Sequence, residues 1–253
     1  MPHKFWGSLA KSPAKSSLGD QELNFRWSTP AKCPTNLSLE DFKTNFCRSV
    51  PAKNGTDPAL GGSEKAATVF GDCPSIIYKD TTYTWSQSHR RCLKLASSLS
   101  SLGISRGDVV SIIAPNIPAM YEVHFAVPFT AAILNTINTR LDARTVSVLL
   151  QHCQSKLVFV DYLSRSLVLE AISLFPPDAK RPILVLITDS DDQDKGAVDV
   201  DSDFCCTYES LVKNGDPGFN WVRPKSEWDP IVLNYTSGTT SAPKGVVQCH
   251  RGI

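Results

Sequence analysis

The residues best suited to chemistry lie close together near the end of the chain. Thr236, Ser237, Gly238, Thr239, Thr240 and Ser241 supply five hydroxyls and one glycine in a row, and Lys244 follows after Ala242 and Pro243. A glycine lets backbone amides approach a ligand closely. Successive amides and hydroxyls can then surround phosphate oxygens while an ammonium offsets their charge. Pro243 restrains a loop that would otherwise be very floppy. The run differs from two familiar phosphate motifs. The Walker loop needs glycine directly before its lysine, where Pro243 stands here, and this argues against a P-loop NTPase. The fingerprint G-x-G-x-x-G does not occur in the segment. A second reading stays open on residue types alone. The run is then a plain polar hairpin loop, with 231–233 as the incoming strand and 245–249 as the return strand.

The elements that must hold this loop follow an α/β pattern from Glu64 onward. Residues 75–78 and 82–83 read as short strands around a Lys79-Asp80 turn. Thr84 and Gln87 have the spacing of a capping box. The helix they open carries Cys92, Leu95, Ala96, Leu99 and Leu102 at three- and four-residue spacing, with Gly103 as its stop. Residues 109–114 form an apolar run of strand length, as expected for a strand buried on both faces. Pro118 can open the next helix. That helix carries Met120, Val123, His124 and Val127 on one face, and Pro128 should end or kink it. His124 reads as a core histidine, and Trp85 and the other aromatics as packing. Asp142 caps a helix with Val146, Leu149 and Leu150. A strand at 156–161, a helix at 163–175 and a strand at 183–188 follow. The alternation predicts an α/β fold with a mostly parallel sheet and helices flanking it. Residues 188–203 carry seven Asp against one Lys and read as a solvated loop without a binding role.

Composition narrows the functions. Charged residues are 20% of 253, and the formal net charge is +1. So balanced a chain offers no global field for nucleic acid or an anionic membrane. No apolar run reaches about 18 residues, so no membrane span is expected. The eight cysteines include no C-x-x-C pair and read as reduced and mostly structural. Ligand pairs for zinc at two- to four-residue spacing are missing. Residues 1–63 stand apart. Eight Lys and Arg against five Asp and Glu give them +3, leaving −2 for the remainder. They read as a flexible leader or, with no acid before Asp20, as an organelle transit peptide.

The order of residues in the loop carries more than its composition. Thr236 to Gly245 resembles the phosphate loop of the AMP-forming acyl-adenylate (acyl-CoA synthetase) superfamily, usually T-S-G-T-T-G-x-P-K-G. Ser241 stands where glycine is commonest. Upstream, 66–74, 83–85, 107–111, 114–120 and 134–140 are similar to plant acyl-activating enzymes, the group of butyrate-, benzoate- and other short-acid CoA ligases. His250-Arg251-Gly252 also fits. The similar region is 64–253; residues 1–63 are unmatched. Gly62-Ser63 stands where relatives tend to carry an apolar pair.

The resemblance implies an acid–CoA ligase. A carboxylate attacks the α-phosphate of ATP, and the thiol of coenzyme A then displaces AMP from the acyl-adenylate. It implies that Thr236, Ser237, Gly238, Thr239, Thr240 and Lys244, with Ser241 beside them, grip the β- and γ-phosphates. Mg²⁺ would be held largely by phosphate oxygens. It further implies that 64–253 is the N-terminal part of an AMP-binding domain, truncated after the phosphate loop, and that catalytic residues lie beyond it. The partners are then a small carboxylic acid, ATP and coenzyme A, in a peroxisomal or cytosolic setting. An open sheet edge with uncovered apolar surface, and poor stability in isolation, are expected. His250 either borders the acyl or nucleotide pocket or ends a strand with an ordinary hydrogen bond. The alternative function is a catalytically inactive nucleotide-binding or interaction fragment.

Overall fold

The fold is seen in a computed structural model that describes residues 61–188, 202–236 and 243–252. The leader reading of the first 60 residues lies outside the described residues, as does most of the acidic run. Helix α1 (Gly61–Val69) leads into an antiparallel pair, β1 (Pro74–Tyr78) and β2 (Thr81–Thr84). Their turn passes through Lys79 at φ 50. Thr84 then caps α2 (Trp85–Ser101) in a reciprocal box: the Gln87 amide donates to Thr84 Oγ1 (3.3 Å) and the Thr84 amide donates to Gln87 Oε1 (2.8 Å). Two free amides are satisfied at once, so the helix starts here. Gly103, at φ 84, follows its end in the left-handed region that glycine enters without strain.

The main sheet has seven strands among the described residues, in the order β7-β6-β5-β3-β4-β8-β9. They are β3 (Val109–Ile113), β4 (Ile133–Thr136), β5 (Leu157–Asp161), β6 (Ile183–Ile187), β7 (Cys206–Thr207), β8 (Pro230–Thr236) and β9 (Lys244–Cys249). All neighbours pair in parallel except β8 and β9. The carboxyl ends of the parallel strands therefore share one edge. Side chains alternate between two buried faces. Val110, Ile112, Leu157, Phe159, Val185 and Ile187 pack with α2, α3 (Pro118–Phe129) and α6 (Tyr208–Asn214). Ile113, Val158, Val160, Leu184 and Leu186 pack with α4 (Ala143–His152) and α5 (Arg165–Ser173). Burial on both faces explains why these strands read as continuous apolar runs.

The mostly parallel α/β architecture expected from the sequence is the one observed. Two local expectations are corrected. The helix expected over 163–175 is a 3-10 turn (Tyr162–Ser164) followed by α5, because the Asp161 carboxylate accepts from the Leu163 amide at 3.1 Å and shapes the entry. His124 is exposed, not part of the core. The buried stripe of α3 runs through Ala119, Val123, Ala126 and Val127. One residue past Val123 turns about 100° around a helix, which points His124 away from that stripe. On edge strand β9, Val246 and Val247 are 45% and 61% exposed.

Candidate phosphate-binding site

The loop's two ends come from neighbouring strands. Ile231, Val232 and Leu233 are buried, and β8 is held on one side by β4. The Thr136 hydroxyl donates to Asn234 Oδ1 at 2.8 Å across that pair. On the other side β9 runs antiparallel, with Thr236 directly opposite Lys244. The two termini of the motif therefore meet at the carboxyl edge of the sheet, where open α/β sheets bind their ligands. Both Thr236 and Lys244 are exposed. Ser237, Gly238, Thr239, Thr240 and Ser241 lie outside the described residues. The antiparallel pairing of β8 with β9 is the form given by the polar hairpin reading, with 245–249 as the return strand.

Neighbouring side chains make the strand ends rigid. A Cβ on Gly245 would sit 3.1 Å from Leu233 Cδ1 and 3.4 Å from Tyr235 Cε1, so a glycine here lets the return strand lie close. Tyr235 meets His152 edge-to-face at 5.7 Å, and its hydroxyl lies 2.6 Å from His152 Nδ1. Burial pushes this phenol up to about 12, so it stays protonated at neutral pH. Among the described residues no three His, Cys, Asp or Glu side chains converge to hold a metal.

His250 is not beside the loop. Cys249, its neighbour, pairs with Pro230 at the far end of the hairpin, about 20 Å of strand from Thr236. It stands directly after the last residue of β9, as the strand-end reading of this histidine expects. It is buried, its amide donates to the Asp229 carbonyl (3.2 Å), and its Nδ1 has no hydrogen-bond partner. Burial lowers its pKa, opposed by Asp229. The next residue, Arg251, pairs with Glu227 at 2.8 Å and lies over the Trp228 ring. These contacts pin the amino end of β8 to the end of β9.

A buried polar network escaped the sequence reading. Glu122 is fully buried on α3. Arg91 Nε donates to its Oε1 at 2.6 Å, and Nη2 donates to Oε2 at 3.2 Å. The same guanidinium donates to both oxygens of Glu209, at 2.6 and 3.1 Å. Tyr208 donates to Glu122 Oε2 at 2.5 Å, and Arg91 covers the Tyr83 ring at 4.8 Å. Burial pushes the Glu122 carboxyl up, and the Arg91 charge opposes it. Two carboxylates hold the guanidinium charged against its own burial. The available signal was Glu122 itself, a charge in an apolar segment, which is tolerated only when paired.

The sheet order and its flanking helices define a mostly parallel α/β class. The chain matches the AMP-binding enzyme family over residues 63–253, and it belongs to that family. It is 61% identical over 194 residues to a 2-methylpropanoate–CoA ligase of Humulus lupulus, covering 77% of this chain and 35% of that protein. It is 62% identical over 197 residues to probable acyl-activating enzyme 6 of Arabidopsis thaliana, with the same coverage. It is 61% identical over 196 residues, again with that coverage, to a relative from the same plant named as peroxisomal. The chain thus spans about a third of the length of these relatives. Its fold matches that of an anthranilate CoA ligase solved with anthranoyl-AMP, at TM-score 0.68 and 20% identity, over 80% of this chain and 36% of that one. A luciferase-like enzyme from the mealworm Zophobas morio shares it at TM-score 0.65 and 20% identity, over 78% and 44% of the two chains.

Proposed function

We propose that this chain is part of an acid–CoA ligase and supplies its phosphate grip. The carboxylate of a small acid attacks the α-phosphate of ATP; a carbon-bound oxygen–phosphorus bond forms and the bond to pyrophosphate breaks. The thiol of coenzyme A then attacks the acyl carbon and AMP leaves. The first step builds negative charge on departing pyrophosphate. Thr236, Ser237, Gly238, Thr239, Thr240, Ser241 and Lys244 would hold that charge through amides, hydroxyls and one ammonium. The observation that carries the reading is the pairing of Thr236 with Lys244, which brings a ten-residue motif to a point at the ligand edge. Mg²⁺ would be held largely by the phosphate oxygens. When bound, that ion would offset phosphate charge.

The match to a 2-methylpropanoate–CoA ligase supports a small carboxylic acid as substrate, with short branched acids first in any panel. The relative named as peroxisomal supports a peroxisomal setting, with the cytosol as the alternative. Nothing observed favours an inactive nucleotide-binding fragment. The test is ATP–pyrophosphate exchange with short-chain and aromatic acids, alongside ATP binding, for wild type and Lys244→Ala. Exchange that Lys244→Ala abolishes is expected. No exchange with any acid, together with unchanged ATP binding by Lys244→Ala, would overturn the proposal. In the same proposal, residues 64–253 form the amino-terminal portion of the AMP-binding domain, and 1–63 a separate leader.

A further inference from the structure

A cluster of cations lies far from Lys244. A cleft of about 620 Å³ opens between α2 and α6, with Tyr83 of β2 at one end. Arg90 and Lys94 reach it from α2, Lys213 from α6, and Arg91 lies at its base. The one carboxylate lining it belongs to Glu209, and both of its oxygens already accept from Arg91. Arg90, Lys94 and Lys213 form no ion pair among the described residues. Gln87 adds a donor: its Oε1 is used by the capping box, which leaves its NH₂ group for the cleft. The lining is therefore rich in donors and has no free acid.

The walls are firmly seated. Ser98 on α2 donates to the Leu211 carbonyl on α6 at 2.7 Å. Gly215 follows α6 so close to α2 that a Cβ there would lie 1.8 Å from the Lys94 carbonyl oxygen. The Arg91 guanidinium is tied to α3 through Glu122 and to α6 through Glu209. Three like charges are thus brought together on fixed helices and not on loops. An anion entering the cleft would be flanked by cations from both helices. The volume is that of a small-molecule site. Along the sheet, β7, which precedes α6, is five strand spacings from β8. That is about 24 Å, so one ligand's phosphates cannot fill both places.

We propose that this cleft binds the phosphate chain of a phosphorylated small molecule, as an anion site separate from the phosphate loop. Arg90, Lys94 and Lys213 supply the charge and Gln87 a neutral donor. The Tyr83 ring is already covered by Arg91, so the phosphates, and not a stacked base, are the recognised group. The test is calorimetric titration of the chain carrying Lys244→Ala, which weakens the loop, with inorganic tripolyphosphate and separately with ADP. One tripolyphosphate per chain is expected, with an affinity that falls as salt rises. Adding Lys94→Gln and Lys213→Gln should weaken it about tenfold, since each surface charge contributes up to about 1 kcal/mol. Adding Lys94→Arg and Lys213→Arg instead should keep it. ADP binding no tighter than tripolyphosphate supports the phosphate chain as the recognised group; tighter binding of ADP would overturn that assignment. Absence of binding to either probe would overturn the proposal, as would equal affinity in the glutamine variant. Both variants must unfold at the parent's temperature; a glutamine variant that matches the parent there and in affinity refutes the site outright. The reading of the phosphate loop survives either result, because its own test is the exchange reaction.

Discussion

The β8–β9 hairpin and the Arg91 network place similar residues in opposite settings. In the hairpin, Thr236 and Lys244 are eight residues apart, exposed, and aligned by one pair of strands. In the network, Arg91 meets Glu122 and Glu209 across 31 and 118 residues of sequence, and Glu122 has no contact with solvent. The first leaves the Lys244 charge exposed. The second consumes its charge internally and ties three helices together. A lysine at an exposed strand end costs the fold little, whereas a buried carboxylate is tolerable only while its partner stays.

The comparison is broken most severely by Arg91→Met. It would leave Glu122 buried without its partner and should cost about 3–5 kcal/mol in urea unfolding. A loss near zero would mean that the network contributes nothing to the fold. Gly215→Ala should cost about 1–3 kcal/mol, because the new methyl must push the chain away from the Lys94 carbonyl 1.8 Å from its ideal position. Both helices that frame the cation cleft would shift, and thermal unfolding reads the effect. Thr84→Ala should cost about 1 kcal/mol by removing one half of the α2 capping box, measured in the same way.

Acid should act on the histidines next. Burial depresses the pKa values of His250 and His89 below their ordinary 6.5. Each is neutral in the fold, and the unfolded chain takes up its proton first as pH falls. Their stabilisation is therefore complete above 6.5 and is lost as pH drops through the folded-state values. The unfolding temperature should decline below pH 6.5, and His250→Gln should reduce that slope. An unchanged slope would exclude His250 as a contributor. The smallest effect on stability belongs to Lys244→Ala, within about 0.5 kcal/mol, although it should have the largest effect on ATP binding. That pairing, large loss in one assay and none in the other, is the reverse of Arg91→Met.

Much of the fold was legible because its signals are local. The capping box at Thr84, the helix stop at Gly103, Pro118 at the start of α3 and Asp142 at the start of α4 all act within one helical turn. The apolar runs at β3, β5 and β6 are short because each strand crosses a two-faced core once. His124 was misread because helical spacing identifies a stripe but does not say which edge of it faces the core. The strand-end position of His250 was legible, whereas its amide's bond to the Asp229 carbonyl at the start of β8 was not. Of the phosphate site, the strands and the motif were legible in order.

The sequence by itself determined the alternation of strands and helices, the caps that start them, and a contiguous loop whose residue types suit phosphate. These depend on backbone geometry and on neighbours within a few residues. Only the tertiary structure decided the strand order, the seating of the β8–β9 hairpin beside β4, and the union of Arg91 with Glu122 and Glu209. Those contacts require distant segments to pack, and burial then fixes whether a charge is spent within the fold or left for a ligand.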